Sequence, residues 1–362
     1  MSLTILSVAY PLTPVGLDAV GGAEQILTSL DSALVRAGHR SLVIACEGST
    51  PVGRLIATPS WNGELTDNVR RWAQTQHRIA IERTLRQFPV DIVHMHSFDW
   101  SQYLPASGVP LLATLHLPAH WYPESALHLN RPRTYLNCVS HSQRGVMPAP
   151  NLPVSVIANG VPLDRLSTRV QKRNYVLALG RVCPEKGFHI ALNAAKRAGV
   201  SMMLAGEVYK YPGHIEYFET EILPRLDQHR KFLGPVGLER KRRLLAGARA
   251  LLVPSQVPET SSLVAMEAIA CGTPVIASAA GALPEVVDQG RTGFIVHDES
   301  EMAARIGDAR KLDPAECRGV ASQRFSAARM AREYMALYQQ MLADCGACAA
   351  GSQPLAAPGS QR

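Results

Sequence analysis

The stretch from Ala250 to Ser278 reads ALLVPSQVPETSSLVAMEAIACGTPVIAS and contains a strand, a helix and a second strand. Its two apolar runs, Ala250–Pro254 and Pro274–Ser278, are continuous rather than alternating, which is typical of strands buried on both faces of a parallel sheet. The apolar segment that begins at Leu263 has the length of a short helix. The order strand, helix, strand predicts a parallel α/β unit.

Short apolar runs of the same kind recur along the whole chain and alternate with helical patterns, so the unit predicts an α/β fold throughout. The other predicted strands are Leu3–Tyr10, Ser41–Cys46, Asp91–His96, Pro110–His116, Tyr135–Ser140, Ser155–Ala158, Tyr175–Leu179, Ser201–Ala205, Lys231–Leu233 and Gly293–Val296. The polar stretch Pro162–Asn174 divides them into two sets and is interpreted as a linker. We therefore predict two doubly wound domains, 1–165 and 166–320.

After Arg318 the pattern changes to one long amphipathic helix, predicted over 321–343. Its apolar members are Phe325, Met330, Tyr334, Leu337, Tyr338, Met341 and Leu342. From Asp344 to residue 362 the composition predicts a disordered tail. That tail carries Cys345 and Cys348 in a C-x-x-C with no second pair, which favours reduced, unstructured cysteines over a metal or redox site.

The bulk composition excludes several classes of protein. The 362 residues are 46% hydrophobic and 19% charged, enough for a substantial core. Seven cysteines without a framework spacing argue against a full set of disulfides. No apolar run is long enough to span a membrane, and the N-terminus resembles a buried strand rather than a signal peptide. We therefore expect a cytoplasmic protein.

The formal charge is +7, with a basic run over Glu239–Arg243. This run is interpreted as a solvated helix face, with attraction to an acidic substrate or to the anionic inner face of a membrane as the alternative. No aromatic interleaving accompanies it, so we expect no nucleic-acid partner. The oligomeric state is left open.

Two loops carry features of an anion site. Gly21-Gly22-Ala23-Glu24 opens a predicted helix over 25–37, where paired glycines and a helix N-terminus let backbone N–H groups approach an anion. Gly180-Arg181-Val182-Cys183-Pro184-Glu185-Lys186-Gly187 directly follows a strand, at the end of the sheet where ligands bind. Arg181 offers a planar fork and Lys186 a compact charge for phosphate oxygens. Either loop alone is also compatible with an ordinary turn.

The strongest signal is a pair of carboxylates. Glu259 lies in the loop before the Leu263 helix, and Glu267 lies within that apolar helix. An unpaired carboxylate there would be costly, and the vicinal hydroxyls of a ribose would supply the donors it needs. Glu259 lies beside backbone N–H groups that could receive a sugar or a phosphate.

Taken together, these motifs resemble the family-4 retaining glycosyltransferases of the GT-B fold, in which two Rossmann-like domains face each other across a cleft. The resemblance covers roughly residues 1–340 and rests on order and spacing. It includes the two glycine loops and the Glu…Glu motif, and also Val156-Ile157-Ala158-Asn159-Gly160-Val161, Gly281-Ala282-Leu283-Pro284-Glu285 and Thr292-Gly293-Phe294. It implies that the C-terminal helix crosses back to the first domain.

The resemblance also implies the roles of individual residues. It implies that Arg181 and Lys186 bind the donor diphosphate, Glu259 the transferred sugar and Glu267 the ribose. His116 would face the donor sugar, although a lone histidine at a strand end is often structural. The remaining donor contacts implied are Gly21, Gly22, Gly180, Gly234, Val236, Ser261, Ser262, Leu263 and Val264.

The implied activity is transfer of a sugar from a nucleotide diphosphate sugar, UDP being favoured, to a hydroxyl of a carbohydrate, lipid-linked or small-molecule acceptor, with retention and without a metal or other cofactor. Rivals are a nucleotide-sugar epimerase of the same fold and a noncatalytic nucleotide-sugar-binding subunit. Thr260-Ser261-Ser262 replaces the family's usual Gly-Phe-Gly, which leaves the donor sugar open. His94 and His96 share a strand face, so core or acceptor-cleft roles are expected rather than metal ligation.

Overall fold

The structure is a computed structural model that describes residues 2–19, 21–168 and 170–350, with the side chains of 345–350 excepted. Its first sheet has seven parallel strands in the order β3-β2-β1-β4-β5-β6-β7. They are β1 Thr4–Val8, β2 Arg40–Cys46, β3 Arg54–Thr58, β4 Ile92–Met95, β5 Leu111–Leu115, β6 Thr134–Cys138 and β7 Val154–Val156. The strand order reverses between β1 and β4, which opens a crevice at their carboxyl ends.

The second sheet has six parallel strands in the order β10-β9-β8-β11-β12-β13. They are β8 Tyr175–Leu179, β9 Ser201–Ala205, β10 Arg230–Phe232, β11 Ala250–Val253, β12 Val275–Ser278 and β13 Gly293–Val296. Here the order reverses between β8 and β11, so the loops after these two strands face the second crevice. The predicted α/β fold of two doubly wound domains is confirmed.

Helices cover the faces of both sheets, as parallel strands require. They are α1 Gly22–Arg36, α2 Asp67–Gln87, α3 Glu124–Leu127, α4 His141–Val146, α5 Leu163–Leu166, α6 Phe188–Arg197, α7 Pro212–Tyr217, α8 Leu238–Gly247, α9 Leu263–Ala270, α10 Leu283–Val286, α11 Glu299–Asp308, α12 Pro314–Arg324 and α13 Ala327–Ala350. Helix α5 falls inside the predicted linker, and its Leu166 is buried in the core of the second domain. That part of the linker is therefore packed.

Strand β3 was absent from the predicted strands. It lies at the edge of the first sheet and pairs only with β2. An edge strand is partly exposed, and its sequence RLIAT has only three consecutive apolar residues. It therefore lacks the long apolar run that identifies the central strands.

The single helix predicted over 321–343 is wrong, because two helices meet at Phe325 and Ser326. The backbone N–H of Val161 donates to the Phe325 carbonyl at 2.7 Å, and Ala327 donates to the Val161 carbonyl at 2.9 Å. Backbone groups used in this way cannot continue a helix, and the Ser326 hydroxyl accepts from the Arg329 N–H to start α13. The chain therefore passes between the two domains twice, once at Val161 and once at Phe325–Ala327, and these two segments are hydrogen-bonded to each other.

Helix α13 packs its apolar face against α1 and the first sheet. Its buried residues share one core cluster with Ile5, Ile26 and Leu112. They are Met330, Ala331, Tyr334, Leu337, Tyr338 and Met341. The backbone of α13 is helical to Ala350, past the predicted end at 343, whereas the rest of the predicted tail, 351–362, lies outside the described residues. None of the helices in the described ranges is both long and apolar enough to cross a bilayer.

Candidate active site

The carboxyl ends of three neighbouring strands are lined by glycine. Gly180, Gly206 and Gly234 follow β8, β9 and β10, and all three have positive φ, of 150°, 153° and 68°. A Cβ on Gly206 would lie 1.7 Å from the Gly180 carbonyl oxygen, so no side chain fits there. The carboxyl ends of β8, β9 and β10 therefore present backbone without side chains at these three positions. Gly206 was missed in the sequence, although a glycine directly after a strand was the available signal.

Arg181 directly follows Gly180 and is exposed to solvent. Its guanidinium makes no hydrogen bond or ion pair with any residue that the structure describes. It acts electrostatically on Glu185, Tyr209 and His214, which places it among the loops that follow β8 and β9. A solvent-exposed guanidinium without a carboxylate partner is suited to bind an anion.

Lys186 and Glu259 meet across the second crevice. Their Nζ and Oε1 atoms are 2.6 Å apart, and the side chains retain 29% and 11% of their exposure. The hydroxyl of Ser255, which follows β11, donates to the same Oε1 atom. The two residues expected to contact the diphosphate and the sugar are therefore adjacent, and Lys186 has a counter-charge that a phosphate would replace.

The loop from Glu259 to Ser262 leaves polar groups unused. Helix α9 starts at Leu263 without a side-chain cap on its first N–H groups. The hydroxyl of Ser261 is shielded from solvent and has no hydrogen-bond partner among the described residues. Buried polar groups and helix N-termini normally find partners, so this loop is chemically ready for an oxygen-rich ligand.

Glu267 is buried, as predicted, but it is not unpaired. Lys241 of α8 places its Nζ 2.6 Å from the Glu267 Oε1 atom, and both side chains are largely buried. Only ribose hydroxyls were considered as donors to Glu267 from the sequence, and Lys241 was missed because the basic run over Glu239–Arg243 was interpreted as a solvated face. Within that run Arg243 pairs with Glu239 on the surface, while Lys241 points inward.

The glycine loop of the first domain faces α9 directly. A Cβ on Gly22 would lie 3.5 Å from the Leu263 Cδ1 atom, so α1 and α9 approach each other at their N-terminal ends. Helix α1 also lacks a side-chain cap at Gly21. A Cβ on Gly21 would collide with the carboxylate of Glu24, and burial raises the pKa of Glu24. The N-terminal ends of α1 and α9 thus converge on one space, and the Glu24 carboxylate already lies at the α1 end.

His116 is half-buried and lies beside two fully buried histidines of the first domain, His94 and His96. Its Nε2 atom is 3.2 Å from Nδ1 of His96, and the two rings are stacked. His94 contacts the hydroxyls of Tyr338 at 2.7 Å and Thr114 at 2.8 Å. Burial lowers the pKa of all three histidines, and that of His116 to about 4. The rings are therefore neutral near pH 7, and His94 and His96 have the environment of the core.

Two contacts across the cleft bring the domains together. The Thr260 hydroxyl donates to the His116 carbonyl at 3.0 Å. The carboxylate of Glu285 accepts the backbone N–H groups of His141 at 3.0 Å and of Ser142 at 2.5 Å, at the start of α4. His116 is thus held beside the Glu259 loop. Gly234 and Val236, the residues expected near the base, lie half-buried at the end of β10.

Comparison with known proteins identifies both halves of this site. A family model described as Glycosyltransferase Family 4 matches residues 20–165, and one described as Glycosyl transferases group 1 matches residues 173–310. The glycogen synthase of Mycobacterium tuberculosis is 26% identical over 349 residues, which cover 80% of this chain and 81% of that protein.

Two solved structures show the same architecture. AviGT4, a glycosyltransferase involved in avilamycin A biosynthesis, is 26% identical with a TM-score of 0.72, over 94% of this chain and 98% of that one. The Anabaena protein HepE, in a crystal with UDP-glucose, is 20% identical with a TM-score of 0.68, over 95% and 100% of the two chains. The last likeness concerns the fold alone.

Proposed function

The chain belongs to the family-4 glycosyltransferases of the GT-B fold, and on that premise we propose that it transfers a hexose from a UDP-sugar to an acceptor hydroxyl with retention of configuration. The observation that carries the proposal is the Lys186–Glu259 pair, which joins the loops after β8 and β11. Arg181 lies on the same loop after β8, and Glu267, paired with Lys241, lies on the helix after β11. Each residue offers the chemistry that one part of a nucleotide sugar needs.

The diphosphate would bind between Arg181 and Lys186. One cation about 4 Å from a phosphate charge is worth about 4 kcal/mol at an effective dielectric near 20. The N-terminus of α9, which has no side-chain cap, adds partial positive charge beside Lys186. The diphosphate would also take over Lys186 from Glu259, which frees that carboxylate to accept hydroxyls of the donor sugar.

The reaction then needs stabilisation of a leaving group. The bond from the anomeric carbon to the phosphate oxygen breaks and its electron pair passes to UDP, where Arg181 and Lys186 neutralise the developing charge. The acceptor oxygen bonds to the anomeric carbon on the face that UDP leaves, and its proton passes to the departing phosphate oxygen. His116, neutral and beside the Glu259 loop, would hydrogen-bond the donor sugar.

We propose that this transfer needs no metal ion and no other cofactor, because Arg181, Lys186 and the α9 N-terminus supply the positive charge that a bridging metal would otherwise provide. The chain also has no Asp-x-Asp pair. Turnover measured after dialysis against EDTA, with and without added Mg²⁺ or Mn²⁺, tests this step. Equal rates support it, and a rate that depends on added metal contradicts it.

The ribose would bind between Lys241 and Glu267. A carboxylate can accept both vicinal hydroxyls while Lys241 holds its other side, and the base would lie along Gly234 and Val236. UDP is proposed as the carrier on the precedent of the UDP-glucose in the HepE crystal. A thermal-shift panel of UDP-, GDP- and ADP-sugars tests this choice, since a ligand of the folded state raises its melting temperature.

The acceptor would bind in the first domain, whose cleft is rich in aromatic rings. Tyr10 and Phe98 lie 5.3 Å apart between their ring centroids. Tyr209 and Tyr211 of the second domain, on the loop after β9, add two further rings. Trp121 is more than half exposed. Rings of this kind stack on the apolar faces of sugars, which supports a carbohydrate or glycoconjugate acceptor.

A membrane-bound acceptor would also need a surface for the lipid. Arg240 and Arg243 are the exposed cations of the basic run, because Lys241 is engaged with Glu267. We propose that they contact an anionic membrane. Cosedimentation with phosphatidylglycerol vesicles, and its loss in Arg240→Ala/Arg243→Ala, tests this contact.

Incubation with donor alone separates transfer from its rivals. NMR of the mixture should show an unchanged donor, with a new glycoside only after acceptor is added. An altered donor sugar without acceptor would indicate an epimerase. A donor that binds but never reacts with any acceptor in a broad panel would indicate a binding subunit.

A further inference from the structure

Three side chains with different ligand atoms converge on the loop that carries Arg181 and Lys186. The thiol of Cys183, the carboxylate of Glu185 and a ring nitrogen of His214 all lie within 4.8 Å of one another. Cys183 and Glu185 flank the start of a short turn over Pro184–Lys186, and His214 belongs to α7. None of the three has a role in the proposed transfer.

The cluster is closed on one side and open on the other. Cys183 is fully buried, Glu185 is exposed, and His214 is intermediate between them. The Nδ1 atom of His214 is shielded from solvent and has no hydrogen-bond partner among the residues that the structure describes. The Tyr211 ring lies edge-on to the His214 imidazole at 5.2 Å and restricts its orientation.

We propose that Cys183, Glu185 and His214 bind a Zn²⁺ ion. Thiolate, imidazole and carboxylate are all ligands of zinc, whereas Mg²⁺ and Ca²⁺ require oxygen ligands only. Tetrahedral zinc with bonds of roughly 2.0–2.3 Å separates its ligand atoms by roughly 3.3–3.8 Å. Side-chain movements of about 1 Å would achieve this spacing. Three protein ligands leave the fourth position for water.

The ion regulates donor binding rather than taking part in transfer, a second step that rests on the proposed function. Zinc adds two charges and displaces the thiol proton, so the loop becomes more positive by one charge. It also engages the Glu185 carboxylate, which otherwise acts electrostatically on Arg181. A more positive loop attracts the donor diphosphate more strongly, and UDP should bind about three- to tenfold more tightly when zinc is present.

Cobalt titration of the full-length, reduced protein tests the site without reference to activity. A Co²⁺ ion bound by a thiolate gives a sulfur-to-metal charge-transfer band, and one equivalent of Zn²⁺ should abolish it. We expect the band in the native protein and its loss in Cys183→Ser. His214→Ala changes a residue of intermediate exposure and should also remove the band, which keeps the test decisive if Cys183→Ser does not fold.

Other cysteines provide the matched control. Cys345 and Cys348 form the C-x-x-C whose side chains lie outside the described part of the structure. The double variant Cys345→Ser/Cys348→Ser should retain the band at unchanged stoichiometry. A band that is absent in the native protein, persists in Cys183→Ser and His214→Ala, or disappears in the double variant overturns the zinc site.

Calorimetry of UDP with and without one equivalent of Zn²⁺ then tests the regulatory step. We expect the three- to tenfold gain in the native protein and none in His214→Ala. Equal affinities with a confirmed cobalt band would overturn the regulation and leave the site. Absence of UDP binding under all conditions would instead contradict the proposed function, so the two failures are distinguishable.

Discussion

The two sides of the cleft differ in their electrostatics: the second domain presents ion pairs, and the first domain presents neutral histidines. The wall of the second domain contains two ion pairs, the partly exposed Lys186–Glu259 pair and the largely buried Lys241–Glu267 pair. The wall of the first domain contains the histidines His94, His96 and His116, whose burial lowers their pKa values and leaves them neutral. One wall carries ion pairs, and the other presents uncharged imidazole rings.

This difference shows how a single cleft could bind a charged donor and still carry out chemistry on a neutral sugar. In the proposed function a phosphate takes the place of Glu259 at Lys186, which is possible because an ion pair can exchange one partner for another. A neutral histidine can hydrogen-bond a sugar without attracting the diphosphate to the first domain.

Removal of the Lys186 charge should have the largest effect. Turnover of Lys186→Ala should fall by about 10²–10³, or about 2.7–4 kcal/mol, as when one donor that stabilises developing charge is removed. Steady-state kinetics measures it. Lys196→Ala, an exposed lysine on α6 of the same domain, is the control and should turn over normally. Near-native turnover in Lys186→Ala would exclude the proposed role.

The neutral wall should make the folded protein sensitive to acid. Between about pH 4 and pH 6.5 the unfolded chain binds a proton at residue 116 that the folded protein does not, so stability falls as the pH falls. Protonation of His116 alone should lower the free energy of unfolding by up to about 3 kcal/mol at pH 4. Denaturant unfolding at pH 7 and pH 4.5 should show a smaller loss in His116→Asn than in the native protein.

The exposed His120 supplies the control for this measurement. His120→Asn should lose as much stability on acidification as the native protein. If His116→Asn and the native protein lose equal stability, the imidazole at residue 116 is not held neutral by the fold.

Glu267 should act on the ribose of the donor. In Glu267→Gln the dissociation constant of UDP should rise about 10- to 100-fold, or about 1.4–2.7 kcal/mol, because a charge-assisted acceptor is lost beside Lys241. The native protein and the variant should bind 2′,3′-dideoxy-UDP with equal affinity, since neither hydroxyl remains. Glu239→Gln, which breaks only the surface pair with Arg243, serves as the control. A dideoxy ligand that still discriminates the two proteins would rule out the ribose contact.

Glu285 should have the smallest effect. Its carboxylate accepts two backbone N–H groups at the start of α4 across the cleft, a contact worth about 0.3–1 kcal/mol near a helix N-terminus. Glu285→Gln should therefore raise the donor KM about two- to fivefold with turnover unchanged, because closure becomes less favourable. Unchanged KM values in Glu285→Gln would mean that this contact does not contribute to closure.

Continuous apolar runs and turn residues were sufficient to predict the central strands and the two-domain fold from the sequence, because buried parallel strands leave a local signature. The edge strand β3 and the break at Ser326 leave none, since one is half-exposed and the other depends on pairing with Val161. Contacts between residues that are distant in the chain leave no pattern in a short stretch of sequence.

The same limit applies to the site. Arg181, Lys186, Glu259 and Glu267 could be identified because a loop pattern and a buried carboxylate are local features. Lys241 could not, because its partner is 26 residues away and the surrounding basic run resembles a solvated face. The roles assigned to these residues stay predictions until a ligand is bound.

A crystal structure with bound UDP shows where the diphosphate lies. We expect its oxygens within hydrogen-bonding distance of both the Arg181 guanidinium and the Lys186 Nζ atom, with Lys186 released from Glu259. A diphosphate bound elsewhere, with the Lys186–Glu259 pair still intact, would contradict it.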